Sequence, residues 1–94
     1  MQSELFEWDE EKAALNRINH GVDFEEAKTV FEDPFAIDMP DEWHSDEEAR
    51  YIVLGMSLLA RVLLVVHTER SERIRIISAR KATRSEREQY ESES

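Results

Sequence analysis

Arg73, Arg75 and Arg80, with Lys81, Arg84 and Arg87 close behind, place six of the chain's twelve basic residues within fifteen positions. A guanidinium group presents a planar fork of N–H donors that matches two oxygens of a phosphate or carboxylate, so this stretch suggests oxyanion recognition. Thr83 and Glu86 have the T-x-x-E spacing of a capping box, which starts a helix just after Arg80 and adds partial positive charge and free N–H groups there. Cations at Lys81, Arg84 and Arg87 oppose the dipole of that helix, by a few tenths of a kcal/mol each. Their placement favours an anion or acidic partner, with Glu86 and Glu88 as internal compensation the plainer alternative. For Arg80 the plain alternative is a surface salt bridge to Glu86. For Arg73 and Arg75 it is a solvated strand paired with acidic neighbours such as Glu69.

Proton transfer near neutral pH calls for histidine, whose unperturbed pKa is about 6.5. His20 precedes Gly21 at the expected end of a helix, where it can act as acid or base or simply cap the helix as a cation. His67, flanked by valines, reads as half-buried packing, and His44 lies in an acidic loop. No H-x-x-x-H or H-E-x-x-H pattern and no cysteine is present, so no metal site is expected, and no cofactor. Lys12 is a point charge on the first helix that could meet a phosphate, and Arg50 opens a strand after the acidic loop.

The elements that must position these groups are legible in outline. LFEWD at 5–9 reads as a short strand. Asp9 is a candidate N-cap, Trp8 and Ala13 hold staple positions, Ala14 and Ile18 share a face, and Gly21 stops the helix. Asp23 repeats the pattern, with Glu26 completing a D-x-x-E box, Val22 and Ala27 in staple positions, and Asp33-Pro34 ending the segment. FAIDMP alternates with Phe35, Ile37 and Met39 inward; YIVLGMSLL, RVLLVVHTE and RIRIISA follow as an antiparallel meander. Ile74 and Ile76 share a face, so Arg73 and Arg75 project from the other and cannot be core. A last helix from about Arg84 to Tyr90 precedes a tail, 91–94, expected to fray. The prediction is an α+β domain spanning 1–94, its two amino-terminal helices covering one face of a mostly antiparallel sheet and the other face open.

Ninety-four residues suit a single core, and 40% hydrophobic content sets the chain apart from disordered polymers despite a net charge of -10. The charge is split: residues 61 to 87 hold eight Lys or Arg against three Asp or Glu, residues 1 to 60 four against sixteen. Nucleic-acid contact through total charge is therefore excluded, and any such contact must be local. The start lacks the features of a signal peptide and no apolar run is long enough to span a bilayer, so a cytoplasmic protein without membrane contact is expected.

Three blocks, FEWDEEKAALNRINHGVDFEEAKTVFEDP at 6–34, HSDEEARYIVLGMS at 44–57 and VVHTERSERIRIISARKATRSEREQYE at 65–91, together resemble the BrnT toxins of type II toxin-antitoxin systems. The chain departs from the family pattern at Asn19, where a lysine is usual before His20-Gly21, and at Leu59-Ala60-Arg61, where a glycine-containing turn is common. The resemblance implies a RelE-like ribonuclease fold. It also implies a BrnA-type ribbon-helix-helix antitoxin that sequesters the toxin in a heterotetramer and binds operator DNA to repress the shared operon.

Metal-free cleavage of RNA requires deprotonating a 2'-OH, stabilising a pentacoordinate phosphate and protonating the departing 5'-oxygen. On this reading Arg80 with Arg50 stabilises the phosphorane, His20 or Lys12 assists proton transfer, and Arg73, Arg75, Lys81, Arg84 and Arg87 bind the RNA backbone. The alternative is a catalytically weak toxin-like domain acting mainly as antitoxin partner and transcriptional corepressor.

Overall fold

A computed structural model describes residues 5–41 and 48–93, so the expectation for His44 lies outside the described residues. In chain order the elements are β1 (Phe6–Glu7), α1 (Glu10–His20), α2 (Phe24–Ala27) continuing as a 3-10 turn (Lys28–Glu32), β2 (Ile37–Pro40), β3 (Tyr51–Met56), β4 (Val62–Arg70), β5 (Arg73–Lys81) and α3 (Arg84–Glu93). The strands form one sheet in the order β1-β5-β4-β3-β2, antiparallel except where β1 joins β5 in parallel. This is the expected α+β architecture.

The local signals act as their chemistry dictates at both ends of α1. Asp9 accepts hydrogen bonds from the N–H groups of Glu11 and Lys12, and Gly21 takes the left-handed conformation (φ 68°) that terminates the helix. The inner face of α1 is Ala13 and Asn16, whereas Ile18, expected beside Ala14 on a packed face, is 78% exposed. Asn16 is turned inward because its side chain completes the sheet. Its amide donates to the carbonyls of Val22 and Ala79 and accepts from the Ala79 N–H, closing the edge of β5 beyond the reach of two-residue β1.

The second helix is shorter than its sequence suggests, and its expected capping box does not form. Asp23 makes no side-chain cap bond and its carboxylate accepts from Arg17 at 3.4 Å, while the Glu26 side chain is drawn to Arg61 and Ser57 on the β3–β4 hairpin. That hairpin turns through Ala60, held at φ 61°, the left-handed conformation a glycine would adopt without strain. Gly55 in β3 is needed for close approach: a Cβ there would lie 2.8 Å from Val30 Cγ1 and 3.0 Å from Ala36 Cβ.

One sheet face carries Val53, Leu63, Val65, Ile76 and Ala79, packed against Val22, Phe24, Ala27 and Val30 of the amino-terminal helical layer. Burial of each large side chain contributes about 1.5–3 kcal/mol. The second face was expected to be open, and α3 corrects this. Tyr90 and Ala82 pack on Leu54, with Ile37, Val62 and Leu64 around them, covering one end of that face. α3 runs to Glu93, so residues 91–93, expected in a frayed tail, are helical. Phe35, expected inward, is 56% exposed, because β2 begins only at Ile37.

Candidate nucleic-acid interface

Strand register decides which cations share a face. On β4 and β5, Val66 pairs with Ser78 but His67 pairs with Ile76, so Ile77 is an extra residue in a bulge. Without it, strict alternation would put Arg80 opposite Arg75. With it, buried Ile76 and Ala79 both face the amino-terminal helices, and Arg75 and Arg80 emerge together on the second face. Arg80 pairs across from Leu64, beside α3, and Arg75 from Thr68. By the same alternation Arg73, Arg70 and Arg50 project from this face, while Lys81, paired with core residue Leu63, lies on the first face, where its charge acts on Glu26.

Two separate basic groups result. At one end Arg70 donates to Glu48 from Nε and Nη2 at 2.9 and 3.2 Å, and Arg75 donates to Glu7 at 2.9 Å. Glu48 is held below the ordinary carboxylate range first by Arg70, then by the fields of Arg75 and Arg50, so three guanidinium groups surround one acid. At the other end Arg80 forms a bidentate pair with Glu86, at 2.8 and 2.9 Å, and also donates to the Lys81 carbonyl. Glu86 is held below the ordinary carboxylate range chiefly by Arg80, against burial. Arg75 and Arg80 pair with Thr68 and Leu64, four residues apart on β4, so the bulged stretch sets their backbones about 13 Å apart at 3.3 Å per residue.

The expected capping box is present: the Thr83 N–H donates to Glu86 Oε1, and the Glu86 N–H to Thr83 Oγ1. Glu86 therefore serves the helix and Arg80 at once. Arg87 donates to the Ala82 carbonyl, and Arg84 pairs with Glu88 at the exposed surface. The dipole-opposing cations of this first turn are compensated in part from within.

The structure thus does not gather the sequence-predicted residues into one hollow. Arg80 and Arg50 belong to different ends of the face and cannot clasp one phosphate. Lys12 stands near the Arg75 end, both charges acting on Asp9. His20 is the exposed last residue of α1, eight residues and about 12 Å along the helix from Lys12. Arg75 is paired to Glu7 rather than Glu69. Sequence reasoning did not single out Arg70, Glu48, Glu7 or Thr68, whose buried Oγ1 has no hydrogen-bond partner. The sole signal available for Glu7 was the parallel β1–β5 pairing, which no local pattern encodes.

Two other features frame the site. Arg61 and Glu26 form a close ion pair, reinforced by Ser57 Oγ donating to Glu26 at 2.6 Å; Glu26 is held low first by Arg61, against burial. A hollow of about 590 Å³ lies beside α3, with Phe35, Met56 and Leu58 exposed along it and Glu32 and Glu91 at its edge. Tyr90 donates to Asp33 there at 2.5 Å, and its hydroxyl, pushed up first by burial and then by Asp33, has a pKa of about 12. Among the described residues no group of three or more His, Asp or Glu is placed to hold a metal ion, and no helix is long and apolar enough to cross a membrane.

The fold and site define a small α+β domain with arginines gathered on one sheet face, and comparison specifies it. The family described as "Ribonuclease toxin, BrnT, of type II toxin-antitoxin system" matches residues 8–86, and the chain belongs to that family. Among solved structures, the 1.1 Å crystal structure of the Brucella abortus ribonuclease toxin BrnT has a similar fold. Its TM-score is 0.67 at 21% identity, over 85% of this chain and 99% of that one. No match was found among curated protein sequences.

Proposed function

We propose that the chain is an RNA-cleaving toxin that works without a metal ion on the second sheet face, neutralised by a BrnA-like ribbon-helix-helix antitoxin in the cytoplasm. The observation that carries this reading is the concentration of Arg50, Arg70, Arg73, Arg75 and Arg80 on that face in a chain of net charge -10. Two arginines whose backbones lie about 13 Å apart suit phosphates about two nucleotides apart along one extended RNA strand. Arg80, at the α3 N-terminus, stabilises the phosphorane formed when a 2'-oxygen attacks phosphorus and the 5'-oxygen departs. Arg50, Arg70, Arg73 and Arg75 hold the flanking backbone, and Lys12 extends that end; Arg84 and Arg87 guide RNA toward α3. Lys81 lies on the other face, and His20 fits a helix-end role better than proton transfer.

The antitoxin reading is supported by the hollow beside α3, whose exposed apolar side chains and acidic edge fit an apolar segment flanked by basic residues. A heterotetramer bound to operator DNA through the antitoxin follows from the family pattern. A second reading, a weak toxin acting chiefly as corepressor, is favoured by one observation: Arg75 and Arg80 are each already held by a carboxylate. The test is RNA cleavage by purified chain freed of antitoxin, with chelator present. Cleavage that drops when Arg80→Ala is introduced, without unfolding, supports the first reading; intact RNA in both naked-substrate and translating-ribosome assays overturns it.

A further inference from the structure

On the first sheet face, beyond the end of the helical layer, lies a hollow of about 370 Å³ lined by Phe31, Asp38, Tyr51, His67, Glu69 and Ile74. Its floor is His67, 5% exposed, with neither ring nitrogen hydrogen-bonded. Phe31 meets the imidazole edge to face with centroids 4.9 Å apart, and Tyr51 stacks on it at 5.9 Å. Register places Asp38 one step to one side of the Tyr51–His67 row and Glu69 one step to the other. From strand spacings their backbones are roughly 16 Å apart, so the two carboxylates flank an aromatic floor at opposite ends.

Neither acid is engaged. Among the described residues the side chains of Asp38 and Glu69 have no ion pair or hydrogen bond, whereas Glu7, Glu26, Glu48 and Glu86 each hold an arginine. No cationic side chain lines the hollow, and burial keeps His67 neutral against the pull of both acids. Aromatic faces attract cations and two carboxylates repel phosphate, so the site selects positive charge.

We infer that this hollow binds an elongated organic cation with two charges, ammonium or guanidinium groups joined by an apolar chain. The chain lies over Tyr51 and Phe31 while its ends meet Asp38 and Glu69. Such chemistry is found in a linear diamine and in two neighbouring basic side chains of a peptide. The inference is independent of RNA cleavage, because the site lies on the face opposite the arginines.

The test is a titration of the full chain, followed by NMR of the Tyr51 and His67 ring signals, with 1,8-diaminooctane in one arm and the peptide acetyl-Lys-Leu-Arg-amide in the other. Saturable shifts confined to these rings are expected, with butylamine, a single charge, at least tenfold weaker. The tighter of the two dications identifies the source. Asp38→Asn with Glu69→Gln, both at exposed positions, removes only two of the chain's negative charges and should weaken binding at least tenfold. Non-specific attraction to an acidic protein would survive that change. Equal shifts from uridine, shifts spread over the acidic amino-terminal helix, no shift in either arm, or undiminished binding by the double variant would each overturn the inference.

Discussion

Glu86→Gln isolates the contact on which the RNA-binding reading turns. Gln keeps the side-chain oxygen that accepts the Thr83 N–H, so the capping box survives while the charge opposite Arg80 disappears. In the native chain a phosphate must displace Glu86 from Arg80. The pair is partly solvated, with side chains 38% and 24% exposed, which limits its strength to about 1 kcal/mol even with bidentate geometry. A carboxylate left about 5 Å from a bound phosphate costs about 0.8 kcal/mol more at the dielectric of water. Together these predict roughly 2 kcal/mol, or binding tighter by about tenfold to thirtyfold. One further cation engaging phosphate also steepens the log–log salt dependence by about 0.7 for single-stranded RNA. Fluorescence anisotropy with a labelled single-stranded RNA across a salt series reads both quantities, and thermal unfolding checks that the helix is intact. Unchanged affinity and salt slope in Glu86→Gln, or full binding retained by Arg80→Ala, would refute the placement of phosphate at Arg80.

Further predictions concern the frame around that face. Arg61→Ala strands the buried Glu26 carboxylate and should destabilise the fold by about 3–5 kcal/mol in denaturant unfolding, whereas changing an exposed pair such as Arg84–Glu88 should cost under about 1 kcal/mol. Asn16→Ala removes three buried hydrogen bonds and leaves Ala79 unsatisfied, predicting a loss of about 3 kcal/mol and faster amide exchange along β5. Ala60→Gly should stabilise by up to about 1 kcal/mol, because the turn holds a left-handed residue. Burial lowers the folded pKa of His67 from 6.5, so the unfolded chain binds more protons below that value. The His67 contribution is complete above about pH 6.5 and is lost as pH falls toward the folded pKa, so His67→Phe should flatten stability over that window, measured by urea unfolding.

Much was written into short stretches of the chain. Asp9 and Gly21 bound α1, Thr83 and Glu86 start α3, and alternation alone keeps Arg73 and Arg75 out of the core, because caps and pleats depend on neighbours a few residues away. The segregation of acids from bases and the blocks resembling the BrnT toxins were equally visible. Partners far along the sequence were not. Glu7 reaches Arg75 only because β1 docks beside β5, and Glu26 abandons its own helix cap because Arg61 offers a buried carboxylate a charged partner. The facing of Arg80 rested on one residue: the bulge at Ile77 reverses the alternation and carries Arg80 to the side of Arg75 and α3. A slip of one position flips every following side chain across a sheet, and pairing with β4 sets that position. The sequence thus supplied the guanidinium groups, and strand register decided which of them face the same way.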